Sequence, residues 1–436
     1  MEVKQFAGGL NVPHYKSFSE HKAIKKASLP KEIIIPLSQH LGAPNEPLVK
    51  VGDKVKAGQK IGATDKFVSA PVHASLSGTV TAIEPRIPGQ TVDCIVIAVD
   101  DNQDEFELAN NNLANVSKED ILNAIKEAGI VGMGGATFPT SVKLSPPPDK
   151  TIDALLINGC ECEPYLTCDH RIMLEKPEEL LQGTKLLMKV LGVEKAYICI
   201  EGNKDDAIEA IREKNEDPNI VLLRMPTKYP QGSEKHLVKA ALDREVPSGG
   251  LPFDVGAMIQ NVGTAVAVYE AVKFGKPLIE RVVAITGQNI KEPQNLLVKI
   301  GTPLSYLIEE CGGIVEEPAK VIIGGPMTGK AQLSLDAVVT KGTTGVVVLP
   351  PEMSFEDMDY CDCVRCGKCV EHCPVLLYPN QISILCEAGM VSEAAEWNTL
   401  DCIECGICAY VCPAKRPIVR LVQITKPLIR ELAAKK

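Results

Sequence analysis

Eight of the sixteen cysteines in this 436-residue chain fall into two copies of one spacing near the C-terminus. Cys363-x-x-Cys366-x-x-Cys369-x-x-x-Cys373-Pro374 is followed by Cys402-x-x-Cys405-x-x-Cys408-x-x-x-Cys412-Pro413. Whatever else the chain does, its last segment has to wrap around what these thiols bind. In such a run three close thiolates ligate one [4Fe–4S] cube and the fourth reaches across to another. The spacing therefore assigns Cys363, Cys366, Cys369 and Cys412 to cluster 1, and Cys402, Cys405, Cys408 and Cys373 to cluster 2. Gly367 and Gly406 free the backbone to turn tightly at each cube. Pro374 and Pro413 restrict how the chain leaves each ligand loop. The duller readings are two zinc sites or a disulfide framework. Zinc uses one isolated group of four ligands, and the doubled pattern with both prolines favours clusters. This chemistry moves single electrons.

The length suggests three or four domains, and 45% apolar residues supply ample cores. A formal charge of −10 argues against a nucleic-acid binder, which needs a basic face. No apolar run approaches the roughly eighteen residues that span a bilayer. The start, Met1 to Phe6, lacks the basic region and apolar core of an export signal. Thiolate ligands for oxygen-sensitive clusters fit a reducing compartment. These features lead us to expect a soluble, cytoplasmic protein, anaerobic in habit.

Residues Leu48 to Asp100 read as short β segments between glycine turns, including Val49–Val55, Gly58–Gly62 and Ser77–Ile83. They resemble a biotinyl/lipoyl-type barrel-sandwich domain. Lys66 stands near the modified lysine of such domains, but Phe67 departs from the small residue that follows it there, and a plain solvated lysine is the preferred reading. From Ser117, a candidate helix cap, helices alternate with apolar strands at 154–158, 196–200 and 220–223. That alternation predicts an α/β domain with a mainly parallel sheet, with helices at 178–191 and 205–214. Strands at 282–285, 320–324 and 345–349, interrupted by a helix near 303–311, read as a small β-grasp-like module. The expected architecture is thus multidomain α/β plus β. A barrel-sandwich domain covers 1–105, a Rossmann-like α/β domain 106–280, a β-grasp module 281–352 and an α-helical double-cluster domain 353–436.

The second informative segment is the glycine loop from Gly129 to Lys143, with Gly132, Gly134 and Gly135 at its centre. Bare backbone N–H groups there can approach an anion, and Lys143 adds a point charge. Thr137 occupies the position of the last glycine in a dinucleotide fingerprint, so this is a different loop. At the end of the first strand come Asn158-Gly159-Cys160-Glu161-Cys162-Glu163-Pro164, then Asp169 and Arg171. Ligands collect at such strand ends, and acids this dense seldom serve packing. Tyr229-Pro230-Gln231-Gly232-Ser233-Glu234 and Gln260-Asn261-Val262-Gly263 add two polar loops.

Together with the cysteines, these four segments resemble the flavoprotein subunit of respiratory complex I, which carries FMN and binds NADH. The resemblance implies flavin contacts from Gly132, Gly134, Gly135, Lys143, Asn158, Glu161, Tyr229, Gly232 and Asn261. It implies nicotinamide-nucleotide contacts from Glu163 and Glu234, with Glu161 and Glu163 as the acids of the catalytic centre. Met133 replaces a basic residue of that family, and Cys160 and Cys162 replace an acid and a glycine. Over essentially the whole chain, the sequence resembles the RnfC family, the C subunits of Rnf electron-transport complexes. Phe6–Pro13, Ile35–Pro44, Ser69–Ala74 and Val131–Ala136 carry this likeness, as does the order of the four domains. That family implies a peripheral subunit at the cytoplasmic face of the membrane. Its partners would be membrane and ferredoxin-like subunits of the same complex. It would exchange electrons between NAD(H), FMN and two [4Fe–4S] clusters, coupled to ferredoxin and to ion translocation. The alternatives are a related flavin/iron–sulfur reductase of cobalamin-reductase type, or a relay subunit that has kept only its clusters.

Several residues have simpler readings. Cys361 breaks the spacing and Cys386 reads as core. Cys160, Cys162 and Cys168 read as small residues lining the flavin pocket, with metal binding as the alternative. His372 is either a surface residue or a hydrogen-bond donor to a cluster. The tail is basic through Lys415, Arg416, Arg420, Lys426, Arg430, Lys435 and Lys436. It either docks on an anionic membrane or forms a helix packed through Ile418, Leu421 and Val422 and broken at Pro427.

Overall fold

In a computed structural model of the chain, residues 3–87, 91–103, 106–317, 320–353 and 360–434 are described. Lys435 and Lys436 of the basic tail lie outside them, as do Met1 and Glu2.

The N-terminal module is all β. Glu32–Pro36, Asp93–Val99, Gly78–Pro85 and Lys54–Val55 form an antiparallel four-stranded sheet. A second sheet contains Glu46–Pro47, Lys60–Ala63 and Val72–His73. Alternation sends Ile33, Ile35, Ile95 and Ile97 into a core shared with Ile61 and Val72. The opposite face, with Ile34, Cys94 and Val96, packs on Val338 from a distant segment. Lys66 and Phe67 are exposed between the second and third strands of the smaller sheet.

The middle module starts at helix α1 (Lys118–Glu127). Ser117 caps it as expected, accepting from the Asp120 N–H at 3.1 Å while the Asp120 carboxylate accepts the Ser117 N–H at 3.0 Å. Helix α2 (Thr140–Lys143) follows the glycine loop. Four parallel strands then form one sheet in the order β3-β2-β1-β4. They are β1 (Ala154–Gly159), β2 (Ala196–Glu201), β3 (Ile220–Met225) and β4 (Ala257–Asn261). Helices α3 (Cys168–Glu175), α4 (Pro177–Leu191), α5 (Asp205–Lys214), α6 (Glu234–Leu242) and α7 (Val262–Phe274) connect or flank them. Leu155, Ile157, Ile198 and Ile200 face the core shared with α4 and α7. Leu156, Tyr197, Cys199 and Leu223 face α6 on the other side. Both faces are covered, which is why these strands read as unbroken apolar runs.

The third module is a six-stranded sheet. Its order is Ile24–Lys26, Gln294–Lys299, Glu280–Thr286, Gly345–Leu349, Lys320–Ile323, Lys330–Ala331. Leu304–Glu310 packs Leu304, Leu307 and Ile308 onto it, close to the expected helix. The edge strand Ile24–Lys26 comes from the N-terminal segment and pairs in parallel with Asn295–Leu297. A pairing so distant in sequence has no local signature.

The C-terminal module is helical. Ile418–Ala434 is a single helix that continues through Pro427, so the expected break does not occur. A proline inside a helix forfeits one backbone hydrogen bond. Here Ile418 and Val422 before it and Ile429 after it are all buried against the domain. That packing holds both halves in line.

Candidate functional site

The eight motif cysteines surround two separate cavities. Cys373, Cys402, Cys405 and Cys408 line one, and Cys363, Cys366, Cys369 and Cys412 line the other. Each cavity draws three thiols from one run and the fourth from the other run. Neither Cys361 nor Cys386 lines either cavity. Cys361 is exposed and Cys386 sits at the edge of the core around Leu385 and Ile429. Gly406 has φ +84°, and an added Cβ would lie 2.6 Å from the Met327 carbonyl, so this ligand loop needs glycine. Cavities lined by four thiols each fit [4Fe–4S] cubes, whose iron is held by thiolates.

The cavity of Cys405 abuts the middle module. The Tyr229 hydroxyl donates to the Cys405 carbonyl at 2.7 Å, and the ring is buried. The N-terminal segment runs between the two: Leu10 and Tyr229 exchange backbone hydrogen bonds at 2.9 Å, and the Gly9 N–H donates to the His372 carbonyl at 3.0 Å. His236 on α6 contacts the Pro374 carbonyl at 2.9 Å. His372 itself is half-buried.

The glycine loop lies beside the C-terminal ends of the parallel strands. Its fold is fixed by hydrogen bonds from Gly132 N–H to the Phe138 carbonyl (2.9 Å) and from Met133 N–H to Thr264 Oγ1 on α7 (2.9 Å). Two buried cations pin it. Arg281 donates to the Met133 carbonyl at 3.2 Å, and Lys341 donates to the Gly129 and Pro71 carbonyls, both at 2.6 Å. Burial lowers Lys341 to about 7. Gly135 has φ +114° with no atom within 4 Å of an added Cβ, and Gly132 has nothing nearer than 3.7 Å. Gly134 faces Asn261, and a Cβ added to it would lie 3.5 Å from that side chain. The loop thus offers bare backbone to a ligand, which fits a flavin nucleotide better than it fits a packed turn.

Around it, Lys143 pairs with Glu234 at 2.5 Å in a half-exposed position. Asn158 Nδ2 donates to the Gly232 carbonyl at 2.8 Å, tying the strand end to the Tyr229 loop. Asn261 caps α7 by accepting the Gly263 N–H at 2.8 Å and donates to Asp169 at 2.7 Å. Glu161 is buried and accepts the Asp169 N–H at 2.8 Å. Cys168, Glu161 and Asp169 offer ligand atoms within 4.8 Å of one another. Cys160 instead turns to the Cys199 carbonyl, and Cys162 accepts the Gly232 N–H. Burial, reinforced by the Glu161 carboxylate, pushes Asp169 up to about 7.

Glu163 is engaged by the third module. Its carboxylate accepts the Met327 N–H at 3.0 Å and the Thr328 hydroxyl. Gly325 makes this approach possible, since an added Cβ would fall 2.2 Å from Glu163 Oε2. Burial raises the Glu163 carboxyl above its ordinary range. Sequence reasoning misses the loop Gly324–Gly329, although its three glycines around Pro326-Met327-Thr328 offer a signal. Lys16 gives none. It is buried, donates to the Glu163 and Leu166 carbonyls at 3.0 and 2.5 Å, and lies 3.9 Å from Glu161. Two basic tail residues also turn inward: Arg416 lines the Cys366 cavity and Lys426 donates to the Cys402 carbonyl at 2.5 Å.

A glycine-loop α/β sheet joined to two thiol tetrads belongs to the class of flavin and iron–sulfur electron carriers. Family comparisons divide the chain in the same way. Residues 125–270 match the Nuo51 FMN-binding domain, 4–102 the RnfC barrel sandwich hybrid domain, 282–331 the SLBB domain and 356–413 the 4Fe-4S dicluster domain. The chain is 48% identical to the C subunit of the proton-translocating ferredoxin:NAD(+) oxidoreductase complex of Clostridium ljungdahlii, over 97% of this chain and 94% of that one. It is 44% identical to the Na(+)-translocating counterpart of Acetobacterium woodii, over 100% and 99% of the two chains. It is 41% identical to the C subunit of the ion-translocating oxidoreductase complex of Rhodobacter capsulatus, over 98% and 84%. The chain belongs to the RnfC family, the C subunits of Rnf-type ion-translocating oxidoreductase complexes. Among solved structures, an NAD+-reducing [NiFe]-hydrogenase shares the fold at TM-score 0.50 and 19% identity, covering 74% of this chain and 67% of that one. No helix among the described residues is long and apolar enough to cross a membrane.

Proposed function

We propose that this chain is the peripheral subunit through which an Rnf-type complex exchanges electrons between NAD(H) and its iron–sulfur chain, coupled to ferredoxin and to ion translocation. The other subunits of that complex are its partners, and the cytoplasmic face of the membrane is its place. The working division is 1–105, 106–280, 281–352 and 353–436, with the second unit Rossmann-like and the third of β-grasp type.

The observation that carries this reading is the seating of the Cys373/Cys402/Cys405/Cys408 cavity directly against the Tyr229 loop of the glycine-loop module. A flavin supplies the conversion between a two-electron hydride and single electrons. Gly134 and Gly135 would present backbone N–H groups to it, Gly132, whose own N–H is held by the Phe138 carbonyl, would let it approach the backbone closely, and Lys143 would neutralise its phosphate. Asn158, Glu161, Tyr229, Gly232 and Asn261 complete that set. Glu163 and Glu234 are assigned to the nicotinamide nucleotide, so Glu163 must exchange its Met327 and Thr328 partners when the nucleotide arrives. Glu161, fixed by the Asp169 N–H and by Lys16 nearby, keeps the strand-end loop in place. Cys373, Cys402, Cys405 and Cys408 would hold the cluster next to the flavin module. Cys363, Cys366, Cys369 and Cys412 would hold the one beyond it.

The test is cofactor content after anaerobic reconstitution with FMN, iron and sulfide. The reading expects one flavin and about eight irons per chain, the count for two cubes. Full iron with no retained flavin would leave only a cluster relay.

A further inference from the structure

The two thiol-lined cavities share Ile418 and a motif proline each, but differ in the polarity of the rest of their lining. Around Cys402, Cys405 and Cys408 the other lining residues are apolar, among them Val375, Leu377, Ile382, Ile403 and Val422. Around Cys363, Cys366 and Cys369 the lining includes Arg365, Asn380, Ser383 and Arg416. Arg416 is the unusual member. Its side chain is only 3% exposed, and one end of its guanidinium donates to Glu387. Its Nε is buried and has no hydrogen-bond partner in the protein. A buried N–H left unpaired costs about 1–3 kcal/mol. A cluster sulfur in the cavity that Arg416 lines is an acceptor of the right kind. Glu387 is not among the lining residues and is 37% exposed, so the positive end of the pair faces the cavity. Lys426, the buried cation on the other side, is paired with Glu404 at 2.6 Å and does not line the apolar cavity.

Reducing a cluster adds one negative charge. Cations and N–H donors favour that state, and an apolar wall disfavours it. We propose that Arg416 sets cluster 1 at a higher reduction potential than cluster 2, so that an electron entering beside the flavin module is drawn onward to the outer cluster. The step is a one-electron exchange: cluster 2 is oxidised, cluster 1 is reduced, and no bond or proton moves. Cluster 1 is also the more exposed of the two, with Cys366 at the surface and Val364 at 63% exposure.

This inference rests on the cluster assignment proposed above, and one experiment separates the two. The reconstituted full chain is titrated potentiometrically and its cluster spin signals are followed. The native protein should show two one-electron waves. Arg416→Gln should lower the upper wave so that, at fixed potential, the reduced-to-oxidised ratio of that cluster falls about tenfold, or 59 mV for one electron. The lower wave should stay in place. Glu387→Gln, which removes the countercharge, should move the upper wave the other way, and Arg416→Lys should restore part of the native position. A merely structural role would not produce opposite shifts from the two partners. Coincident waves in the native protein, or an upper wave that ignores both Arg416→Gln and Glu387→Gln while iron content is full, would overturn the inference. If Arg416→Gln loses iron, Glu387→Gln alone decides, by an upward shift or none. Absence of cluster signals in the native protein would instead defeat the cluster assignment itself.

Discussion

Each thiol-lined cavity is built from two short runs within one module, whereas the glycine loop and its neighbours are held by residues as far apart as Lys16, Arg281 and Lys341. The first arrangement depends on a few ligands and little else. The second distributes its support over buried cations, caps and a loop from the neighbouring sheet. Loss of one ligand should therefore be close to all-or-none in the cluster module, while changes around the glycine loop should be graded. Four substitutions, in decreasing order of consequence, probe that contrast.

Cys408→Ser removes one of four thiolates from the cavity beside the flavin module. About half of the iron should be lost, and cluster 1 should no longer be reduced by NADH even though dithionite still reduces it. Iron analysis with spin-signal integration checks this. Full iron content in the variant would break the contrast at its strongest point.

Glu280→Gln attacks the distributed side. Burial would raise this carboxyl, but Lys276 and Lys299, each at 2.7 Å, overcome it and hold the group at about 2. A depressed carboxyl stabilises the fold above its unfolded value of roughly 4.5, and the gain is lost as pH falls toward 2. The variant should be less stable by up to about 3 kcal/mol at pH 7. Its deficit should shrink as pH drops below about 4.5. Denaturant unfolding of native and variant protein across that range measures it, and a deficit independent of pH would remove the electrostatic account.

Lys143→Ala should weaken flavin binding by about 1.5–3 kcal/mol, the usual worth of a hydrogen bond to a charged group. That is roughly ten- to hundredfold in affinity, with the clusters untouched. Fluorescence titration of the deflavinated protein reads it. Unchanged affinity would shift the phosphate to another part of the loop.

Tyr229→Phe deletes only the hydroxyl that donates to the Cys405 carbonyl, leaving a buried ring. We expect a loss of about 0.5–1.5 kcal/mol, visible as slightly faster release of iron from cluster 2 under chelator. Unchanged iron release would remove the hydroxyl from cluster retention and leave Tyr229 its flavin contact alone.

The same contrast governs what the sequence could reveal. Ligand spacing is local, so the separation of Cys373 and Cys412 into opposite thiol groups was legible, as were the Ser117 cap and the strands at 154–158, 196–200 and 220–223, which the structure extends to 159, 201 and 225. The pairing of Ile24–Lys26 with a strand near 295 leaves no periodic trace, and neither does the burial of Lys16 beside Glu161. The basic tail shows the limit most clearly. Charge alone suggests a surface, yet Arg416 and Lys426 are buried against the cluster module, because a partner acid awaits each and the Cys402 carbonyl also accepts from Lys426. Arg420 and Arg430 remain exposed on the same helix. Continuity through Pro427 depends on buried residues that lie on both sides of it, which a breaker rule does not weigh.

Electron entry through the nucleotide site is best tested by titrating the anaerobically reconstituted chain with NADH while flavin absorbance and cluster spin signals are followed together. The flavin should bleach, and both cluster signals should then appear. Clusters that respond to dithionite while NADH leaves a bound flavin and both clusters unchanged would contradict that route.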